Sequence, residues 1–311
     1  FENNFKLEQK FAVAVSGGPD SLALAFLTKV FSIKYNLDCR FFIIDHKLRK
    51  ASTNEAKKVK KILIKSGIKL EILSWNGKKP SSNIQSLARK KRYELLISKC
   101  KNLKIQNLLL AHHQDDLFEN FFIRILRGSG LNGLVSFSEK SQLNDINLLR
   151  PLLKFDKKDL IYISKKIFSS YIEDPSNQQD RFKRVKIRTL IKNLQSEGLD
   201  FDKFDLTIQN LQFANKSINF FIEKNISENS TILDNNKTII INKDFFNYPE
   251  EVVFRSISKI IKIVGKKFYS ARGKKICYLL NLIHEKSFLK TSLGNCLIKK
   301  VNQSIIITKE H

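Results

Sequence analysis

Short apolar runs alternate with amphipathic segments along the first half of the chain. Residues 11–15 form an uninterrupted apolar run, which is typical of a strand buried on both faces of a parallel sheet. The same pattern predicts three more strands, at residues 40–45, 70–75 and 107–111. Apolar positions at helical spacing predict the intervening helices, at residues 22–30, 52–66, 83–100 and 117–126. This alternation predicts an α/β fold with a doubly wound parallel sheet, which binds ligands at the carboxyl ends of its strands.

Local start and stop signals bound one of these helices. Ser52 and Glu55, three residues apart, predict a capping box at its start, and Gly67 predicts its end. In a capping box the serine hydroxyl accepts a hydrogen bond from a backbone N–H of the first turn. We therefore expect Ser52 at the N-cap position.

The pattern changes near Gly198, where we expect a domain boundary. Two further helices are predicted before it, at residues 156–168 and 183–194. The sequence beyond it predicts a long helix, a hairpin, two shorter helices and three short strands, at residues 206–226, 231–241, 250–263, 271–285, 289–293, 296–300 and 304–308. The prediction is therefore an α/β domain over residues 1–200 and a smaller C-terminal α+β domain over residues 201–311.

A turn of small residues, Ser-Gly-Gly-Pro-Asp-Ser at positions 16–21, joins the first strand to the first helix. Its backbone N–H groups, the hydroxyls of Ser16 and Ser21 and the positive end of the helix dipole together suit phosphate oxygens. Asp20 would repel a phosphate unless a cation such as Mg²⁺ lies between them. The turn is not a Walker A loop, because no lysine follows the glycines. The alternative is a glycine-rich corner that binds nothing.

The formal charge of +26 and the isoelectric point near 9.9 exceed what solubility requires. Lysine and arginine are spread over the whole chain rather than gathered in a tail. This distribution favours a polyanionic partner, with nucleic acid first and an anionic membrane surface second. A general bias toward Lys, Ile and Asn would raise the charge without any such partner.

The four cysteines are far apart in the sequence: Cys39, Cys100, Cys277 and Cys296. They form no C-x-x-C pair, so neither a zinc knuckle nor a Cys-ligated cluster is indicated. No apolar run approaches the ~18 residues of a membrane span, and no signal peptide is evident. We therefore expect a reduced, cytoplasmic protein that does not contact membranes. The sequence leaves its oligomeric state open.

Polar side chains crowd residues 112–120, directly after a predicted strand. With a helix that starts near Asp116, this residue and Glu119 share one helical face, while His112 and His113 lie on the preceding loop. Three interpretations remain open. The segment could be a His/Asp metal site, a solvated helix N-terminus, or an active-site cluster that binds a cationic substrate and moves protons.

Several arginines outside the predicted sheet suit phosphate groups: Arg89, Arg92, Arg127, Arg184 and Arg188. Their planar guanidinium groups match phosphate oxygens better than the point charge of lysine does. A solvated basic face is the alternative for the first two, which lie about one turn apart on a predicted helix. Residues 128–133 fit the pattern G-x-G-x-x-G, but they follow a helix rather than a strand, so no dinucleotide site is indicated.

These segments, in this order, resemble the tRNA(Ile)-lysidine synthetases, a branch of the PP-loop ATP pyrophosphatases. The resemblance covers about residues 11–190 and is carried by the following segments: Ser16–Ser21, Asp45–Arg49 with Ser52 and Glu55, Asn83–Tyr93, Ala111–Glu119, Leu126–Leu134, Arg150–Leu153 and Asp174–Asn177. The first loop is common to all PP-loop enzymes. The patterns His-His-x-Asp-Asp-x-x-Glu and Leu-Arg-Gly-Ser-Gly are more specific to the lysidine branch.

The resemblance implies a PP-loop fold of the adenine nucleotide alpha hydrolase type and a two-step ligation. ATP adenylates the C2 oxygen of the wobble cytidine in an isoleucine tRNA with the anticodon CAU, and pyrophosphate is released. The ε-amine of free L-lysine then attacks C2 and expels AMP, which leaves lysidine. The catalytic domain would span residues 1–200, and the C-terminal domain would clamp the tRNA.

The resemblance also implies roles for individual residues. ATP would be bound by the first loop and one arginine: Ser16, Gly17, Gly18, Pro19, Asp20, Ser21 and Arg89. Asp20 would hold Mg²⁺, while Asp116 and Glu119 would bind the α-ammonium of lysine. Catalysis is assigned to Asp20, His112, Asp116 and Arg184. The predicted tRNA contacts are Arg92, Arg127, Arg184 and Arg188, and in the C-terminal domain Lys266, Lys267, Arg272, Lys274 and Lys275.

Two departures from the family pattern are present. Asn120 stands where the family usually has threonine, and Arg184-Val-Lys-Ile-Arg188 stands where it tends to have Arg-Asn-Arg-Ile-Arg. We expect a single C-terminal domain, as in the short form of the family. The nearest rival is a PP-loop tRNA thiolase, which usually needs a reactive cysteine pair. A nucleic-acid-binding protein with an inactive ATP loop is the rival from a different class.

Overall fold

The computed structural model describes most of the chain: residues 9–48, 51–77, 84–172, 181–234, 237–267, 270–285 and 287–310. The side chains at positions 85 and 181–184 lie outside this description. The chain divides into two compact units, one ending at Phe201 and the other beginning at Asp202. This division falls one residue after the predicted boundary.

A six-stranded sheet with helices on both faces forms the first unit. Its strands are β1 (Lys10–Val15), β2 (Asp38–Asp45), β3 (Leu70–Ser74), β4 (Asn107–Leu109), β5 (Lys140–Leu143) and β6 (Ile146–Leu149). Its helices are α1 (Pro19–Lys34), α2 (Ser52–Ile64), α3 (Ile84–Asn102), α4 (Gln114–Ile125), α5 (Leu131–Leu134), α6 (Lys157–Phe168) and α7 (Arg181–Ser196). The strand order is β3-β2-β1-β4-β6-β5, and only β5 runs antiparallel to its neighbour. The predicted doubly wound sheet is confirmed.

Strand β1 is apolar on both faces because both faces are covered. Phe11 and Val13 pack into a core with side chains of α1, α2 and α6. Ala12, on the opposite face, packs with Leu96 and other side chains of α3. A fully buried central strand therefore shows a continuous apolar run rather than an alternating one.

The capping box predicted at the start of α2 is wrong. Ala51 is the N-cap residue and Ser52 is the first residue of the helix. The Ser52 hydroxyl donates to the carboxylate of Asp45, at 2.8 Å, on the loop after β2. A charged acceptor in the neighbouring loop has replaced the local capping interaction, since hydrogen bonds to ionised groups are the stronger ones.

Other element boundaries also differ from the prediction. Helix α4 begins at Gln114, two residues before Asp116, and β4 is only three residues long. The hairpin of β5 and β6 was not predicted, because each strand has only four residues and no long apolar run. The predicted turn at residues 174–177 lies outside the described residues.

The second unit is an antiparallel sheet with helices on one face. Its strands are β7 (Ser230–Leu233), β8 (Thr238–Ile241), β9 (Lys290–Leu293), β10 (Cys296–Val301) and β11 (Ser304–Lys309), in the order β7-β8-β11-β10-β9. Its helices are α8 (Phe201–Asn229), α9 (Glu250–Val264) and α10 (Gly273–His284). Ile305 and Ile307 alternate with more exposed neighbours along β11 and pack against α9 and α10. This alternation is what a sheet covered on one face requires, and the predicted α+β class is confirmed.

The long helix of this unit exceeds its predicted span of 206–226 at both ends. The predicted hairpin is formed by β7 and β8, and its central residues 235 and 236 lie outside the described part. Within the described chain, no helix has the length and apolar character needed to cross a bilayer.

Candidate active site

The polar segments of the first unit meet at the carboxyl ends of its parallel strands. The first loop follows β1, and the residues from His112 onward follow β4, which is the neighbour of β1 in the sheet. Parallel strands place these two loops at the same edge, which is where doubly wound sheets bind their ligands. The predicted convergence of the two motifs is present in the structure.

The first loop is held in shape by one hydroxyl. Ser21 Oγ accepts hydrogen bonds from the backbone N–H groups of Ser16 and Gly17, each at 3.1 Å, and donates to the carbonyl of Gly18 at 2.9 Å. Its hydrogen is therefore used within the loop, whereas the prediction offered it to a phosphate. Ser16 is exposed, and its hydroxyl also donates to Ser21 Oγ at 3.1 Å.

Close packing against α2 places the loop. Gly17 has a φ of +93°, and a Cβ at this position would lie 2.6 Å from Cγ2 of Val59. The carbonyl of Gly17 accepts a hydrogen bond from the N–H of Ile172 at 3.0 Å. A residue with a side chain fits neither this dihedral angle nor this space, which explains the first glycine of the motif.

The neighbouring loop after β2 is organised by Asp45. Its buried carboxylate accepts hydrogen bonds from Ser52, from Thr53 at 2.6 Å and from the N–H of Lys47 at 3.0 Å. Burial alone would raise the pKa of Asp45, but the hydrogen bonds from Thr53 and Ser52 outweigh it and lower the pKa. The carboxylate thus shapes the turn beside a cavity of about 270 Å³, lined by His46, Lys47, Trp75, Asn76 and Gly77.

A histidine joins the first loop to the acids of α4. His113 Nε2 lies 3.6 Å from Oδ2 of Asp20 and 3.4 Å from Oδ2 of Asp116. Asp116 also accepts a hydrogen bond from the backbone N–H of His113 at 3.0 Å. Sequence reasoning favoured His112 and missed this role of His113, since no local signal separates the two adjacent imidazoles.

Asp20 is suited to share a cation with a phosphate. Burial raises its pKa, and the charges of His113 and Lys157 act in the opposite direction. Its Oδ1 atom is buried without a hydrogen-bond partner among the described residues. Mg²⁺ commonly binds one or two carboxylates together with substrate phosphates. The residues therefore fit Mg²⁺ held jointly with a nucleotide.

The competing interpretation, a His/Asp metal site, gains no support. Across the described ranges, no group of three or more His, Cys, Asp or Glu side chains is arranged to hold a metal ion.

Lys157, at the start of α6, acts on Asp20 electrostatically and was not predicted as a site residue. It is distant from the motifs in sequence, and only the packing of α6 on α1 brings it near.

His112, the neighbour of His113 in sequence, packs against an aromatic ring. Its ring contacts the edge of Phe137, with centroids 4.9 Å apart, and the guanidinium of Arg150 lies 4.9 Å from the centroid of that same ring. Burial lowers the pKa of His112 to about 4, although the charge of Asp116 opposes this shift. His112 Nδ1 is buried and finds no hydrogen-bond partner in the described part of the chain. The imidazole is therefore neutral near pH 7 and suits the role of an acceptor.

Replacement of His112 by Gln should remove a pH dependence from protein stability. The imidazole of His112 is protonated near pH 6.5 in the unfolded state but only near pH 4 in the folded state. The free energy of unfolding therefore decreases as the pH falls through this window. We expect the wild type to lose about 3 kcal/mol of unfolding free energy across it, relative to His112→Gln. Urea denaturation at several pH values measures this difference. The variant His284→Gln, at an exposed position in the second unit, should keep the wild-type slope, and parallel slopes for all three proteins would contradict the assignment.

Glu119 is buried and paired with an arginine of another helix. Its side chain is 5% exposed, and its Oε1 atom accepts a hydrogen bond from Nε of Arg188 at 2.5 Å. Arg188 lies on α7, which packs against α4. The structure thus brings together two residues that the sequence assigned to different substrates, Glu119 to lysine and Arg188 to tRNA.

The other predicted arginines of the first unit are exposed where their side chains are described. Arg89 lies over the ring of Tyr93, at 5.3 Å from its centroid, and its charge acts on His112. Arg92 and Arg127 are exposed. The side chain of Arg184 is among those not described, so its predicted role stays a prediction. Arg150 is buried and donates to the carbonyl of Ser138 at 2.7 Å, which anchors the β5–β6 hairpin beside His112.

A basic surface is present in the second unit. The five predicted cations at the end of α9 and the start of α10 are all exposed: Lys266, Lys267, Arg272, Lys274 and Lys275. The whole chain has 56 Lys and Arg residues but only 30 Asp and Glu residues, so few acids are available to neutralise these cations. Their accessibility is compatible with contacts to a polyanion.

Comparison with known proteins gives a consistent result. Residues 1–194 match the family described as the PP-loop domain. The chain is 33% identical over 304 residues to a tRNA(Ile)-lysidine synthase from the Wolbachia of Brugia malayi, an alignment that covers 97% of this chain and 70% of the relative. It is 32% identical over 310 residues to a tRNA(Ile)-lysidine synthase from Rickettsia felis, with 99% and 71% coverage.

A solved structure supports the fold. The U34-tRNA thiolase NcsA from Methanococcus maripaludis superposes with a TM-score of 0.55 at 17% identity, over 67% of this chain and 72% of the thiolase. At this identity the similarity concerns architecture alone, whereas the relatives named above match nearly the whole sequence. By these matches the chain belongs to the tRNA(Ile)-lysidine synthase family of PP-loop proteins.

Proposed function

We propose that this protein ligates free L-lysine to C2 of the wobble cytidine in an isoleucine tRNA with the anticodon CAU. The reaction consumes ATP and yields lysidine, AMP and pyrophosphate through an adenylated cytidine. The proposal rests on one observation above all: His113 lies between Asp20 of the nucleotide loop and Asp116 of the acidic helix. A nucleotide site and a site for a cationic amine are thereby adjacent. Because the substrate is a tRNA, we place the reaction in the cytoplasm.

In the first step the C2 oxygen of cytidine attacks the α-phosphorus of ATP. The bond between the α- and β-phosphates breaks, and pyrophosphate leaves toward the first loop. The N–H groups of the first turn of α1, which lack carbonyl partners within the helix, and the helix dipole stabilise its charge. Asp20 would hold Mg²⁺ here, which supplies charge neutralisation at the phosphates. Arg89, whose charge acts on His112, is our candidate for a contact to ATP.

In the second step the ε-amine of lysine attacks C2 and the C2–O bond to AMP breaks. Asp116 and Glu119 bind the α-ammonium of lysine through charge-assisted hydrogen bonds. The ε-amine must be neutral to attack, and the proton that it loses as the new C–N bond forms passes to solvent water. Neutral His112, with its unpartnered Nδ1 within the described residues, accepts a hydrogen bond from this amine and orients its lone pair.

The cytidine must leave its stack to reach both reactants. Exposed Arg92 and Arg127 are our candidates for phosphate contacts near the site, together with Arg184. The basic surface of the second unit, defined above by its five cations, would bind the tRNA backbone elsewhere. These contacts position the substrate, whereas contacts to the base edge would select cytidine.

The competing function, tRNA thiolation, gains no support from the two cysteines of the first unit. Cys39 is at the start of β2, at the sheet edge opposite the site, and Cys100 is at the end of α3. Burial raises the pKa of both thiols, which disfavours the reactive thiolate. The two thiols therefore behave as packing residues.

Mass spectrometry of nucleosides tests the function directly. The isoleucine tRNA with the anticodon CAU is incubated with the protein, ATP and lysine, and then digested to nucleosides. We expect one cytidine per tRNA to gain the mass of a lysine less one water, and no such product when lysine or ATP is omitted. The methionine tRNA with the same anticodon serves as the matched control and should stay unmodified. Sulfur incorporation, or an unchanged cytidine under all conditions, would contradict the proposal.

A further inference from the structure

In the ion pair of Glu119 and Arg188, the guanidinium uses only one of its three nitrogens to donate to the carboxylate. Only Nε of Arg188 meets Glu119, and within the described residues neither Nη group makes a hydrogen bond. The arginine side chain is 50% exposed although its partner carboxylate is 5% exposed. One edge of the guanidinium is therefore fixed against a buried anion, while its other edge faces the accessible side. A guanidinium held in this way is pre-oriented for a second anion.

Three carboxylates of α4 act on the charge of Arg188. Burial alone would lower its pKa, but the hydrogen bond and charge of Glu119, with the charges of Asp115 and Asp116, raise it. Three carboxylates thus act on one guanidinium. This arrangement presents a cation directly beside anions. A ligand that carries a carboxylate and an ammonium side by side would match it.

We propose that Arg188 binds the α-carboxylate of the free amino acid and so selects an α-amino acid over a simple amine. This inference rests on the proposed lysine ligation. In every α-amino acid one carbon separates the ammonium from the carboxylate, so the binding site needs an anion and a cation in contact. Glu119 and Arg188 form such a pair before any ligand arrives. On binding, the ammonium takes a place beside Glu119 and Asp116, and the carboxylate meets the two Nη groups of Arg188 bidentately.

The test compares lysine with lysinamide, which lacks the α-carboxylate charge but keeps both amines. The wild type should show a KM for lysine about 10- to 100-fold below that for lysinamide, as expected for a charge-assisted pair. In Arg188→Gln the KM for lysine should rise to near that for lysinamide. The KM for lysinamide and the KM for tRNA should change little. The selective change in KM, without an equal fall in kcat, is what separates substrate recognition from structural support.

Two further variants test whether the effect comes from the guanidinium of Arg188 itself. Arg188→Lys keeps the charge beside buried Glu119 but loses the planar fork, so it should fold and retain an intermediate preference for lysine. Lys192→Ala removes one exposed charge from the same helix one turn later and should leave the ratio of the two KM values at the wild-type value.

The outcomes separate the alternatives. If Arg188→Gln raises the KM for tRNA and flattens its salt dependence while the ratio of lysine to lysinamide stays unchanged, Arg188 is a phosphate ligand and the inference is wrong. If both amines lose activity equally, its role is structural and the inference is equally wrong. Failure of the wild type to form lysidine would instead refute the proposed function, and it is observed before any variant is made.

Discussion

Replacement of Asp20 by Asn should lower the rate of pyrophosphate release by about 100-fold or more in the presence of ATP, tRNA and lysine. Asn preserves the size of the side chain but removes the charge that would hold a cation beside the phosphates. The Oδ1 atom of Asp20 is buried and, among the described residues, has no partner that would otherwise explain its presence. We therefore propose that this carboxylate serves function rather than the fold.

The same variant should be at least as stable as the wild type near neutral pH. Burial, with the charges of Asp115 and Asp116, raises the pKa of Asp20, so its ionised form is disfavoured in the folded state. An acid whose folded pKa lies above its unfolded value destabilises the fold once the pH exceeds the unfolded value. Removal of the charge takes away this penalty. The difference in melting temperature between variant and wild type should vanish in acid, where Asp20 is protonated in both states.

Asp159→Asn is the matched control for this prediction. Asp159 is also an acid in the first turn of a helix, α6, but it is exposed and lies outside the site. Its loss should cost about 0.3 to 1 kcal/mol through the helix dipole and leave the rate unchanged. Adenylation by Asp20→Asn within a few-fold of the wild-type rate would show that the first loop does not handle phosphate through this residue.

Replacement of Gly17 by Ala should be nearly as damaging to activity, for a geometric reason. The new Cβ would lie 2.6 Å from Cγ2 of Val59, and the backbone φ of +93° is strained for any L-residue with a side chain. The loop must then move off α2, which would displace the N–H groups proposed to bind the pyrophosphate. We expect an activity loss of about 100-fold, since small displacements in a positioned site have effects of this size. The measurement is the same pyrophosphate assay with ATP varied.

Two variants divide this effect into its causes. Gly67→Ala places a side chain at a φ of +69° with no atom within 4 Å, at the end of α2, so it reports the backbone cost alone. It should lose about 1 to 2 kcal/mol of stability and no activity. The double variant Gly17→Ala, Val59→Ala removes the steric contact and should recover part of the activity. A Gly17→Ala variant with wild-type kinetics would overturn the account of the loop.

The sheet was predictable because its signal is local. Residues 11–15 are apolar on both faces, and the burial of Phe11, Ala12 and Val13 confirms that both faces are covered. The first loop was predictable for a similar reason, since six adjacent residues carry the whole motif. Short strands such as β5 gave no comparable signal, because four residues are too few to establish a period.

The capping interaction of Ser52 shows where local reasoning failed. A serine followed three residues later by a glutamate favours a capping box within its own segment. The hydroxyl instead found the buried carboxylate of Asp45 on another loop, at 2.8 Å. Competition between near and distant partners depends on which groups the fold places within reach.

For this chain, the order of apolar and polar residues was sufficient to establish a parallel sheet, a phosphate loop and the acids that follow β4. It did not establish which charges neutralise one another. Glu119 and Arg188 are 69 positions apart, and the sequence assigned them to different substrates. Their contact depends on how α7 packs against α4, because ion pairs across helices arise from distances in space that no periodicity along the chain encodes.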